Sequence, residues 1–89
     1  MLTLPAELTQ NQASACLHAL KQGIKAESGA AVVVDAQALV RFDSSALAVL
    51  LECRRETLAL GKGFSVHQAS ERLKDLAALY GIGELLPAA

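Results

Sequence analysis

The sequence predicts a two-layer α/β domain, a small and largely parallel β-sheet with three helices packed mainly on one face. Three observations predict it. Strand-like and helix-like apolar patterns alternate along the chain in the order β-α-β-α-β-α. The run "AAVVVDA" at 30–36 is β-branched and too short for a helix of its own. The whole chain has 89 residues, enough for one core, so residues 1–89 are expected to form a single domain. Right-handed crossovers between successive strands then make the sheet parallel.

The elements follow in order. "LTLPAEL" alternates, with Leu2, Leu4 and Ala6 on one side, and reads as a short strand whose Pro5 suits an edge or an end. Thr9 opens the first helix, and Thr9-x-x-Gln12 has the spacing of a capping box. Ala13, Cys16, Leu17, Leu20 and Ile24 share its apolar face, while His18, Lys21 and Lys25 fall on the polar one. "ESGA" ends it, with Gly29 available for a left-handed turn. The β-branched run at 30–36 is expected to be a strand buried on both faces. "QALVRFD" reads as a loop into a second helix from about Ser44 to Leu60. There Leu47, Leu50, Leu51 and Leu58 fall in a narrow arc toward the sheet, and Val49 and Cys53 toward another side. A two-layer domain does not cover a whole helix circumference, so apolar surface near Ser44 is expected to stay exposed. "GKG" at 61–63 breaks the chain, and "FSVHQA" alternates as a third major strand. Ser70 caps the last helix, with Leu73, Leu76, Ala77 and Tyr80 on one face. Gly81 and Gly83 end it, and "IGELLPAA" reads as a tail.

Composition narrows the function. Hydrophobic residues make up 53% of the chain against two Phe and one Tyr, so the core is aliphatic. A net charge of −1 argues against nucleic acid as a partner, because no clustered basic surface is there to displace phosphate counterions. Cys16 and Cys53 form no CxxC pair and no Cys/His ligand spacing, so neither a metal site nor a cofactor is expected. Both read as free thiols in a reducing cytoplasm. No run approaches the roughly 20 apolar residues of a membrane span, and "MLTLPAELT" lacks the pattern of a signal peptide.

Catalytic chemistry finds little support. There is no P-loop, no GxGxxG and no GxSxG elbow. Ser44, His67 and Asp35 are the residue types of a hydrolase triad, but a chain this short does not build a substrate cavity of usual size. No catalytic residue is assigned. His67 reads as half-exposed beside the sheet and His18 as solvated. Arg54, Arg55 and Glu56 read as a charged face with aliphatic stems over the core.

The informative stretch is "FDSSALAVLLE" at 42–52. A helix N-terminus exposes unpaired amides and the positive end of the dipole, which favours Asp or Ser as a cap. One cap explains Asp43 or one hydroxyl; it does not explain Asp43, Ser44 and Ser45 together. The same field stabilises a phosphate on Ser44, so this serine is a candidate phosphoacceptor or docking point.

These residues resemble the STAS family. "DSS" at 43–45, opening a Leu-rich helix after a Val-rich strand, is similar to the family's Asp-Ser-Ser-Gly-Leu or Asp-Thr-Ala-Gly-Leu signature. "DSSALAVLL", "GKGFSV", "LKDLAALYGI" and "ELLP" look most like the STAS subunits of Mla-type phospholipid ABC transporters of Gram-negative bacteria. Ala46 departs from the family's usual glycine, with consequences expected for backbone freedom and partner approach. The N-terminus leaves no room for the extra first strand of many members, so an exposed sheet edge is expected. The resemblance implies a non-enzymatic subunit, without cofactor, that binds the cytoplasmic ATPase of a complex containing a membrane permease and does not touch the lipid. It would lie peripherally on the inner membrane, and the transporter would maintain outer-membrane lipid asymmetry. Asp43 and Ser44 match the family's acidic residue and its phosphorylated serine. Ser45, Ala48, Glu52 and Arg55 complete the expected outward, partner-binding face. The alternative within the same family is an anti-sigma factor antagonist regulated by phosphorylation of Ser44.

Overall fold

A computed structural model describes residues 1–89. The elements are β1 (Leu2–Thr3), β2 (Glu7–Leu8), α1 (Gln10–Ala26), β3 (Ala31–Asp35), β4 (Arg41–Phe42), α2 (Ser44–Ala59), β5 (Gly63–His67) and α3 (Glu71–Leu79), then a 3-10 turn at Gly83–Leu85. β1, β3 and β5 form a parallel sheet in that order, and β2 and β4 pair parallel as a second, smaller sheet. This is the predicted α/β arrangement, with one strand pair not foreseen.

The N-terminal stretch is two strands rather than one. Pro5, which has no amide hydrogen to give a ladder, lies between them. The chain leaves the main sheet after Leu4, whose N–H still donates to Asp35 O at 2.9 Å. Leu4 is buried, but Ala6 is exposed, so the expected Leu2-Leu4-Ala6 face breaks there. Ala6 O instead accepts from Val40 N and Arg41 N, which starts β4. The stretch 37–43 is therefore not simply a loop.

β3 is buried on one face only. Val32 and Val34 are fully buried with Phe64 and Val66 of β5, while Val33, Asp35, Ser65 and His67 are half-exposed. The reason is the two-layer build, which puts no helix over the second face. The one core cluster joins these valines to Leu4, Leu8, Leu20, Ile24, Leu50 and Leu73 among others.

Helix starts follow their capping chemistry. Thr9 and Gln12 form the capping box, and Ser70 Oγ accepts from Leu73 N at 3.1 Å. α2 buries a wider arc than the expected leucines. Ala46, Leu47, Val49, Leu50, Cys53 and Thr57 are buried, Leu51 is half-buried, and Leu58 is exposed. The sheet takes one side of α2 and α1 takes the side carrying Val49 and Cys53, so the arc spans two contacts. Thr57 satisfies its buried hydroxyl by donating to Cys53 O at 2.7 Å. Tyr80 also departs from expectation: it terminates α3 and is exposed.

The C-terminal segment is docked. Val66 N donates to Pro87 O at 2.8 Å and Ala89 N to Val66 O at 3.0 Å, so Ala88 bridges β5 in parallel. That segment covers the outer edge of β5. Between it, α3 and Leu50 lies an apolar cavity of about 260 Å³.

Candidate functional site

The N-terminus of α2 is built by Asp43. Its carboxylate accepts from Ser45 N at 2.8 Å and, with its other oxygen, from Gln10 N at 3.2 Å. One side chain thus caps α2 and satisfies an orphan amide of α1. The bond from Ser45 N is the main cause holding the Asp43 carboxyl below the usual carboxylate range. Desolvation opposes it, and the Gln10 amide and the Ser45 hydroxyl add smaller effects in the lowering direction.

This division of labour answers why two serines follow the aspartate. Asp43 does the capping and Ser45 serves Asp43. Ser44 is exposed in the first turn, and its hydroxyl makes no hydrogen bond within the chain.

A shallow groove of about 310 Å³ runs between α1 and α2, lined by Ala13, Ser14 and Leu17 on one side and Ser45, Ala48, Val49 and Glu52 on the other. Ser45, Ala48 and Glu52 thus share one surface. Arg55 lies at the margin, 80% exposed, with Nη1 3.6 Å from Glu52 Oε1. An exposed i,i+3 pair of this kind contributes little to stability. The α1 half of the groove was not legible in the sequence, because Ala13 and Leu17 read only as core.

A polar chain braces the two helix starts. Arg41 Nη1 lies 3.6 Å from Glu7 Oε2, and Glu7 Oε1 accepts from Gln12 Nε2 at 2.7 Å. Gln12 in turn accepts from Thr9 N at 2.8 Å. From the other side, the Arg72 guanidinium lies 4.8 Å over the Phe42 ring and donates to Val40 O at 3.4 Å.

Two expectations about this region change. The apolar residues of α2 next to Ser44 are not left open: Ala46, Leu47, Val49 and Leu50 are all buried. Ala46 is fully buried, so its methyl group fills the core and is not presented to a partner. The exposed large apolar side chains lie elsewhere, at Val40, Leu58, Leu60, Leu79 and Tyr80 among others.

The hydrolase constellation does not form. Asp35 and His67 are register neighbours on β3 and β5, but the Asp35 carboxylate accepts from Gln37 N at 2.9 Å, and no hydrogen bond joins it to His67 or Ser44. Both cysteines are free thiols. Burial raises Cys16 and pushes Cys53 up to about 12. No helix is long and apolar enough to cross a membrane.

Solved structures share this fold. A Thermotoga maritima protein described as a "putative anti-sigma factor antagonist" superposes with a TM-score of 0.80 at 14% identity, over 96% of this chain and 74% of that one. The anti-sigma factor antagonist SpoIIAA in its unphosphorylated form superposes with a TM-score of 0.76 at 18% identity, over 98% of this chain and 76% of that one. No curated protein matches the sequence. The family model described as MlaB, STAS domain, matches residues 1–87, and the chain therefore belongs to the MlaB-like STAS domain family.

Proposed function

We propose that this chain is a non-enzymatic adaptor that docks on the cytoplasmic ATPase of an Mla-type phospholipid ABC transporter. In that role it supports assembly and activity of a complex with a membrane permease, which maintains outer-membrane lipid asymmetry. It sits in the cytoplasm, peripheral to the inner membrane through the complex, and does not contact lipid. The docking face is the start of α2, with Ser44 at the contact, Asp43 orienting the junction, and Ser45, Ala48, Glu52 and Arg55 beside it. The observation that carries this reading is the spare hydroxyl: Asp43 caps α2, which leaves Ser44 exposed and unengaged. The family match adds the transporter context.

The same free hydroxyl supports a second reading, a partner-switching regulator. There a kinase-like anti-sigma factor phosphorylates Ser44, and the added charge and bulk disrupt docking. A tagged pull-down from the host, with mass spectrometry of partners and of Ser44, separates the two. An ABC ATPase with a permease and unmodified Ser44 supports the adaptor. An anti-sigma factor with a phosphorylated Ser44 pool replaces it with the regulator.

A further inference from the structure

The strand that feeds Ser44 is short and lies at an edge. β4 is only Arg41 and Phe42, and β2 is its one strand partner. On that side Val40 N and Arg41 N both donate to Ala6 O, at 2.9 and 3.0 Å. Asp43 follows directly, so the course of Phe42 sets where the Asp43 carboxylate stands.

The other side of this strand is held by a side chain. Arg72, in the first turn of α3, places its guanidinium 4.8 Å from the centre of the Phe42 ring and donates through Nη1 to Val40 O at 3.4 Å. Arg72 makes no ion pair: neighbouring Glu71 pairs with Lys74, and Glu7 pairs with Arg41. Its planar fork is engaged by the ring face and the carbonyl, two contacts that a guanidinium makes at once and a compact ammonium does not. Phe42 in turn is half-buried and packs against the core.

We propose that Arg72 is a positioning residue for the docking surface. It holds Phe42 from α3, and through Phe42 it fixes the Asp43 carboxylate and the presentation of Ser44, without touching the partner. This rests on the ATPase being the partner, as proposed above. It makes α3, which contributes nothing to the groove between α1 and α2, part of the docking device.

The test measures two things on the full chain: affinity for the purified Mla-type ATPase of the same host, and amide hydrogen exchange at Gln10 and Ser45, the two donors to Asp43. Arg72→Ala is expected to weaken binding about three- to fivefold and to speed exchange at both amides, with the melting temperature within a few degrees of the parent. Arg72→Lys, which keeps a cation over the ring, is expected to fall between the two. In a Phe42→Leu background, which removes the ring face, Arg72→Ala is expected to cause little further loss. Equal loss in both backgrounds would mean that the guanidinium meets the ATPase itself, and parental exchange at Gln10 and Ser45 would mean that Asp43 does not depend on it. Either result overturns the positioning role. If Arg72→Ala binds like the parent while Ser44→Tyr binds weakly, the role is wrong and the docking site stands. If the wild type does not bind the ATPase, the docking reading fails, and exchange at the two amides still decides whether Arg72 positions Asp43.

Discussion

The Asp43 carboxylate accepts the backbone N–H of Gln10 at 3.2 Å, although the two residues stand 33 positions apart. Its other oxygen takes Ser45 N at 2.8 Å. The starts of α1 and α2 are thereby held at one separation, and the groove below them inherits that spacing.

Asp43 is therefore expected to make stability depend on acid. Its carboxyl is held below the usual range in the folded chain. A depressed folded value gives stability that is present above the unfolded carboxylate pKa of about 3.9 and lost as pH falls through the folded value. Asp43→Asn should lower the melting temperature at neutral pH and flatten the acid limb below the unfolded carboxylate value of about pH 3.9. Thermal melts across that range check it. An unchanged acid limb would remove the proposed bond pair from the stability account.

Ser44 should tolerate large substitutions in folding terms, because its side chain is exposed and does not cap the helix. Ser44→Glu and Ser44→Tyr should leave the melting temperature within a few degrees, since surface changes are usually within about 0.5 kcal/mol. Both should weaken ATPase binding by about tenfold. Calorimetry and a binding titration on the same preparations separate the two effects.

Gly23 lies in α1, where an added Cβ would meet Leu2 Cδ2 at 2.7 Å. That atom is the far end of a flexible, half-buried side chain, so Leu2 can turn aside. Helix propensity favours alanine over glycine by about 1 kcal/mol. Gly23→Ala should thus stabilise by about 0.5 kcal/mol after the cost of moving Leu2. Gly23→Val should destabilise, because its branches displace Leu2 and with it β1. Urea titrations of both variants test the sign.

The thiols should be quiet in the folded state. With Cys53 pushed up to about 12 by burial and Cys16 also raised, little thiolate exists at neutral pH. Iodoacetamide should label half-buried Cys16 slowly and Cys53 only as fast as the chain unfolds. Rapid labelling of Cys53 without denaturant would contradict the packing of α2 on α1.

Removing residues 87–89 should cost about 1–3 kcal/mol, because Val66 then loses both of its partners on the β5 edge. The uncovered edge should also raise the tendency to self-associate. Equilibrium unfolding and light scattering of the truncated chain measure the two effects.

The legible parts were those written in local chemistry. Thr9 with Gln12, Asp43 and Ser70 mark helix starts by short-range hydrogen bonding, and all three caps are present. The valines of β3 carry strand propensity in a contiguous run. β2 and β4 escaped because two-residue strands have no periodicity to read. The docking of Ala88 on Val66 depends on a partner far away in the sequence. At the site, Asp43, Ser44 and Ser45 stood out by spacing, but Gln10, Ser14 and Arg72 join it through contacts between elements. No local signal marks such contacts. Tyr80 and Leu58 were misplaced for the opposite reason: their helical spacing was right, but each helix face ends where its neighbour ends.

Every strand pairing in this molecule is parallel, and each joins strands separated by at least one helix. No hairpin offers a local start. Ala31 meets Gly63 only after a loop of roughly thirty residues closes, so the chain pays loop entropy before any ladder rewards it. A topology of this kind folds more slowly than a helical bundle of equal length, and the sheet either assembles with its crossover helices or does not assemble. In kinetic language, α2 is the crossover on which β3 and β5 meet, so the helix that displays Ser44 is also expected to belong to the folding nucleus.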